Sequence, residues 1–173
     1  MELSDSRDIK ADPATVWAAL LDPEVLKACI PGCQELTGSP EDGFEATVVQ
    51  KVGPVKATFR GAVTLSDIVV GESATLSGEG KGGAAGFAKG SARISLSPVA
   101  GGTRLGYEVE AHVGGKLAQL GNRLIDGFAR KLADEFFARF QGVIEGGGED
   151  GGGEAPAEVA EVKKGWLKRL VSR

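Results

Sequence analysis

From residue 34 to residue 113 the chain alternates apolar and polar side chains with a period of two. Val55, Ala57, Phe59, Gly61, Val63 and Leu65 alternate with Lys56, Thr58, Arg60, Ala62, Thr64 and Ser66. Ala92, Ile94 and Leu96 stand against Ser91, Arg93 and Ser95, and Leu105, Tyr107, Val109, Ala111 and Val113 against Arg104, Glu108, Glu110 and His112. Turn signals at 41–43, 52–54, 70–72 and 100–102 separate these runs, each built around a glycine. The pattern predicts an antiparallel meander of six strands with one wet face and one covered face.

The flanks differ. Leu3 to Ile9 alternates more weakly and predicts a first strand. Asp12-Pro13 and Asp22-Pro23 are two successive start signals, a capping carboxylate followed by proline at the first helical position. They predict two short helices, one through Val16, Trp17 and Leu20 and one through Val25, Leu26 and Ala28, the second ended by Pro31-Gly32. After Gly114-Gly115 the spacing becomes three to four: Leu117, Leu120, Leu124, Phe128, Leu132, Phe136 and Phe140 form one stripe. A single helix from about Lys116 to Ile144 would be roughly 40 to 45 Å long. Strand, two short helices, meander and long terminal helix is the order of an α+β helix-grip fold, in which a curved antiparallel sheet wraps a long C-terminal helix. Residues 1–145 are therefore expected to form one ligand-binding domain.

Beyond that domain the composition shifts. Residues 146–162 are rich in Gly and Glu, too poor in apolar side chains to build a core, and are expected to act as a flexible linker. Residues 163–173 carry five cations and no acid, although the whole chain has a net charge of −4. Wound as a helix, Trp166, Leu167, Leu170 and Val171 share one arc, and Lys164, Lys168 and Arg169 occupy most of the rest. Together with Lys163 these residues are expected to form an amphipathic anchor on an anionic membrane surface. A disordered basic end, or a helix that docks on a protein, is the alternative. The chain contains no run of about twenty apolar residues, and its N-terminus, with Glu2, Asp5 and Asp8 around Arg7, lacks the basic-then-apolar order of a signal peptide. The expected place is the cytoplasm, peripheral on the inner face of the cell membrane.

Charge and motif content narrow the chemistry. Once the acidic linker and basic tail are set aside, residues 1–144 carry −3, which offers no basic face for nucleic acid. Cys29 and Cys33, with His112 as the sole histidine, are too few for a structural zinc and read as reduced, packed thiols. Gly78-Glu-Gly80-Lys-Gly82-Gly83 satisfies the dinucleotide spacing, but it lies between antiparallel strands and opens no helix. No nucleophile stands beside a histidine in a recognisable motif, and Asp126, Asp134 and Glu135 read as solvated or paired helix charges. No catalytic residue, no metal and no covalently bound cofactor is expected, and the chain reads as a protein that is not an enzyme.

Two segments carry a resemblance. Pro13-Ala-Thr-Val-Trp17-Ala-Ala-Leu20 followed by Asp22-Pro23-Glu-Val-Leu-Lys-Ala-Cys-Ile30-Pro31-Gly32-Cys33, and the glycine-studded run from Gly78 to Gly90, resemble the family of the carbon monoxide dehydrogenase G subunit. That family lies within the START/Bet v 1-like (SRPBCC) superfamily, and the resemblance covers about residues 1–145. It implies a sheet gripping the long helix around an apolar cavity. It also implies association with a molybdenum-containing dehydrogenase of the carbon monoxide dehydrogenase type, and a part in bringing that enzyme to the membrane.

The short inward residues Ala57, Gly61, Ala92 and Ala111 leave space that a curved sheet and one helix do not fill. Trp17, Phe59, Leu105, Tyr107, Val109, Leu120, Leu124 and Phe128 are the expected cavity lining. Taken singly, Trp17, Phe59 and Phe128 read first as plain core. The Tyr107 hydroxyl is a candidate contact for a ligand oxygen, and a water or a backbone group would serve it as well. The glycines from 78 to 90 fit a mobile lid or docking surface, and equally the bulges and edges of a sheet. The expected ligand is an isoprenoid lipid, with a respiratory quinone foremost, carried between membrane and dehydrogenase. A ligand-free adaptor linking enzyme to membrane is the alternative, and a polyketide-type cyclase a third reading that the apolar inward residues do not favour. Deleting residues 163–173 should release the protein from anionic vesicles in a flotation assay, and about 0.5 M salt should weaken binding of the intact chain. Vesicle binding that survives the deletion would sink the anchor.

Overall fold

In the computed structural model residues 1–146 are described; the basic tail from Lys163 and all of the linker after Gly146 lie outside them. Seven strands form one antiparallel sheet in the order β1-β7-β6-β5-β4-β3-β2. They are β1 (Glu2–Ile9), β2 (Cys33–Ser39), β3 (Gly43–Val52), β4 (Val55–Val69), β5 (Ser73–Lys81), β6 (Phe87–Val99) and β7 (Gly102–Gly114). Consecutive strands from β2 to β7 pair as hairpins, and β1 closes the order by pairing with β7, Leu3 opposite Val109 and Ile9 opposite Thr103. The alternation decides the faces: along β4 every residue from Val55 to Leu65 on the apolar parity is half-buried, and every one on the other parity is exposed. This is the helix-grip arrangement that the order of elements predicts.

Both short helices start where the Asp-Pro pairs predict. Helix α1 (Pro13–Leu20) and α2 (Pro23–Cys29) each carry proline in the first turn. The Asp22 carboxylate accepts from the Glu24 amide at 2.9 Å, an ordinary side-chain cap. Asp12 behaves differently, because its carboxylate is taken by the Thr15 hydroxyl and caps no backbone amide.

The terminal helix is not continuous. A short turn, α3 (Lys116–Gln119), is separated from α4 (Asn122–Ile144) by Leu120 and Gly121. Gly121 has φ +91°, which breaks the helical hydrogen-bond ladder and resets the phase of the residues after it. The helix proper has 23 residues, or about 35 Å, and is shorter than the periodicity suggests.

The main core lies toward the end of the sheet where β1 finishes and α4 ends. Phe140, Val143, Ile9, Val16, Val25, Cys29 and Leu105 are fully buried there. Phe136, Phe137, Phe140 and Tyr107 form an aromatic stack, with Tyr107 and Phe137 ring centroids 5.0 Å apart. Arg7 faces inward from the edge strand, its guanidinium 5.1 Å from the Phe137 centroid and paired with Asp134. At the same end the Lys10 amide donates to Glu145 at 3.0 Å, fastening the last turn of α4 to the end of β1. Phe140→Ala should cost about 3 to 5 kcal/mol, measured by urea denaturation, since this side chain is fully enclosed.

Candidate ligand cavity

The inward residues of the sheet grade from large to absent along the strands. Near the closed core the cross-strand neighbours are Ile94 with Tyr107 and Leu96 with Leu105. Toward the other end they become Val63 with Gly78, Gly78 with Gly90, and Gly90 with Ala111. The next row is Gly61 with Gly80, and Gly80 with Ala88. Small residues therefore run side by side across strands β4 to β7, and they make a trough under α4.

The glycines in the trough have two different causes. A Cβ at Gly90 would lie 2.2 Å from the Glu110 carbonyl oxygen, and one at Gly78 would lie 2.8 Å from that of Ala62. The neighbouring strand comes so close there that only glycine fits, as a sharply curved sheet requires. At Gly80 a Cβ would meet nothing within 4 Å, so that position is small because the space above it is open.

Between this trough and the first half of α4 lies a cavity of about 200 Å³. Ala88 and Ala111 belong to its floor, Val52, Phe59 and Val113 to its sides, and Leu117, Ile125, Phe128, Ala129 and Leu132 to its roof. The Phe59 ring lies against Gly82, where a Cβ would come within 2.4 Å of the ring carbons. The two polar groups nearest to it, Gln50 and the N-terminus at Met1, are already engaged: the Gln50 amide donates to the Pro31 carbonyl, and the Met1 ammonium to the Ala111 carbonyl at 2.9 Å. No polar atom reaches the surface of the cavity.

Of the residues expected from the sequence to line it, Phe59 and Phe128 do. Leu120 is half-buried and packs against the small cluster of Val52, Leu117 and Ile125 beside the cavity. Leu105 and Tyr107 are buried in the closed core, with Trp17 and Val109 packed against it. The structure thus places these four away from the cavity, because they sit where large inward residues meet Phe137 and Phe140. Leu124 is also displaced: it is 37% exposed and its side chain rests on the β3–β4 turn at Gly53. The phase reset at Gly121 is the reason, and it turns Ile125 inward in place of Leu124. The residues that sequence reasoning missed as lining, Ala88 and Ile125 above all, carry a faint signal: Ala88 has inward parity within the glycine-rich run, and Ile125 follows a glycine that can end a helix.

The remaining chemistry is sparse. Burial pushes the Cys29 thiol up to about 12, against a small opposing effect of Arg139, and burial also raises Cys33. Both thiols are free. Asp8 is held below the usual carboxylate range by the two hydrogen bonds from Arg104, at 2.8 and 3.2 Å on the surface. His112 is exposed, and among the described residues no three His, Cys, Asp or Glu side chains gather as a metal-binding group. No helix among the described residues is long and apolar enough to cross a membrane.

The family model of the carbon monoxide dehydrogenase G subunit (CoxG) matches residues 6–145. Among solved structures, a conserved protein from Geobacillus kaustophilus is 32% identical, with 84% of this chain and 95% of that chain covered and a TM-score of 0.78. A START superfamily protein from Mycobacterium smegmatis is 15% identical over 85% of this chain and 99% of its own, with a TM-score of 0.63. A protein from Thermus thermophilus, 15% identical over 86% and 100% of the two chains, reaches 0.64. The last two likenesses speak for the fold alone, which is START/Bet v 1-like. No curated protein matches the chain. Because the trough glycines differ in cause, Gly90→Ala should destabilise the fold by more than about 2 kcal/mol. Gly80→Ala should leave thermal stability unchanged or raise it by about 0.5 kcal/mol, read by the same melting experiment.

Proposed function

We propose that this chain, which belongs to the family of the carbon monoxide dehydrogenase G subunit over residues 6–145, is a non-catalytic accessory protein of a molybdenum-containing dehydrogenase and carries an apolar ligand. The observation that supports this reading is the cavity, walled by carbon and lying under α4 at the end where the sheet gives up its large side chains. An interior that closed itself with Leu or Phe would be more stable, since each buried methylene contributes about 0.8 kcal/mol. Alanine at positions 88 and 111 leaves that stabilisation unused and keeps room for a guest.

The guest is an isoprenoid lipid, with a respiratory quinone foremost, since such a molecule joins an oxidising enzyme to a membrane electron chain. Binding it needs neither a nucleophile nor a metal from this protein. The basic tail from Lys163 to Arg173 holds the body on the anionic inner face of the membrane, beside the dehydrogenase. The small cavity volume, below the roughly 300 to 1,000 Å³ of common ligand sites, favours a second reading, a ligand-free adaptor between dehydrogenase and membrane.

One experiment separates the two. Lipids extracted from the purified full-length protein should include a stoichiometric isoprenoid by mass spectrometry, and Ala111→Phe should lower its yield at least tenfold while the melting temperature stays within a few degrees. An empty wild-type protein that still holds the dehydrogenase on vesicles would favour the adaptor.

A further inference from the structure

The cavity is apolar throughout, and this bears on which part of a ligand it can recognise. A quinone, an ester or an alcohol carries oxygen atoms that lose hydrogen bonds to water on burial, and an unreplaced bond makes burial unfavourable. No polar atom reaches the cavity wall, and the nearby polar groups are directed elsewhere. The Gln50 amide is turned to the Pro31 carbonyl, the Met1 ammonium to Ala111, and Tyr107 is stacked on Phe137 in the closed core. A lipid head inside the cavity would face an apolar wall, while the hydrocarbon meets Phe59, Ile125, Phe128 and Leu132.

Size limits the portion held. An enclosed apolar space of about 150 Å³ holds a six-carbon ring, so 200 Å³ holds about eight carbons. That accommodates the first one or two isoprene units of a chain, and the rest of a longer lipid lies beyond the apolar walls. The volume limits how much of a lipid enters, and the apolar walls decide for hydrocarbon over head.

We infer that the cavity is a tail site: it takes the hydrocarbon chain of a lipid, is indifferent to the head, and leaves the head outside the apolar walls. This rests on the apolar-ligand reading above and specifies which part of the ligand the protein holds. It makes chain length the selective variable. Each methylene added to a short chain should tighten binding about fourfold, the equivalent of about 0.8 kcal/mol, until the cavity is full.

Competition with a fluorescent fatty probe, or calorimetry, on the full-length protein tests it with defined compounds. Dissociation constants of n-alkanols from butanol to dodecanol should fall about fourfold per carbon and level off near eight carbons. Decanol, decyl acetate and decylubiquinone should bind within about threefold of one another, and duroquinone, a head without a tail, at least thirtyfold more weakly. Ala111→Leu should shorten the length at which the series levels off, which assigns binding to this cavity. Duroquinone binding as tightly as decylubiquinone, or a spread beyond tenfold among the three decyl compounds, would overturn the tail site while leaving an apolar ligand in place. Failure of every tailed compound to bind would overturn the ligand reading itself.

Discussion

The structure depends on one mismatch: an evenly apolar helix face lies on a sheet whose inward side chains shrink to nothing along its length. Apolar side chains run along all of α4, from Ile125 to Val143, and all of them must leave water. At the C-terminal end of the helix the sheet answers with Ile9, Leu105, Leu96 and Tyr107, and contact is complete. At the N-terminal end it answers with Ala88, Gly90 and Ala111, and contact fails. The closed core packs one half of the interior, and the cavity lies in the other. Core and cavity are thus two results of one gradient along one helix.

Curvature comes from the same residues. Glycines 78 and 90 let adjacent strands approach to distances that any side chain would forbid, which bends the sheet around α4. The bend then has to be held at its open edges. On the β1 edge, Arg7 turns a charge inward, where it lies on Phe137 and meets Asp134, a device that also discourages pairing with a foreign strand. On the β4–β5 hairpin a register shift between Ser66 and Val69, with Asp67 at φ +51°, twists the turn and leaves Ile68, Val69 and Val70 exposed.

Alternation along the strands made the architecture readable, because side-chain parity states which face is covered. Tyr107 and Ala111 share one parity in β7, yet one belongs to the closed core and the other to the cavity floor. Parity says nothing about position along the helix; that comes from the cross-strand register, which a single strand does not carry. The helix break was hidden for a related reason. Leu117, Leu120, Leu124 and Phe128 keep a helical spacing straight through Gly121, so the periodicity continues where the backbone does not. Glycine in a helical pattern is ambiguous until its φ is known. The family resemblance rests most specifically on residues 16–32, where the Asp22-Pro23 helix start and the Pro31-Gly32 turn combine residues with strict backbone roles. The cavity residues carry no such local signature, since alanine at an inward position is equally compatible with tight packing.

The bond from the Lys10 amide to Glu145 gives the body a direction. It fixes the end of α4 at the pole where β1 finishes, about 35 Å of helix away from the turn at Gly121. The cavity belongs to the opposite pole, with Met1, Val52 and Leu117. The described chain therefore ends, at Gly146, at the pole remote from the cavity. The last described residues and the cavity are consequently on two different surfaces, and the length of α4 sets the spacing between them.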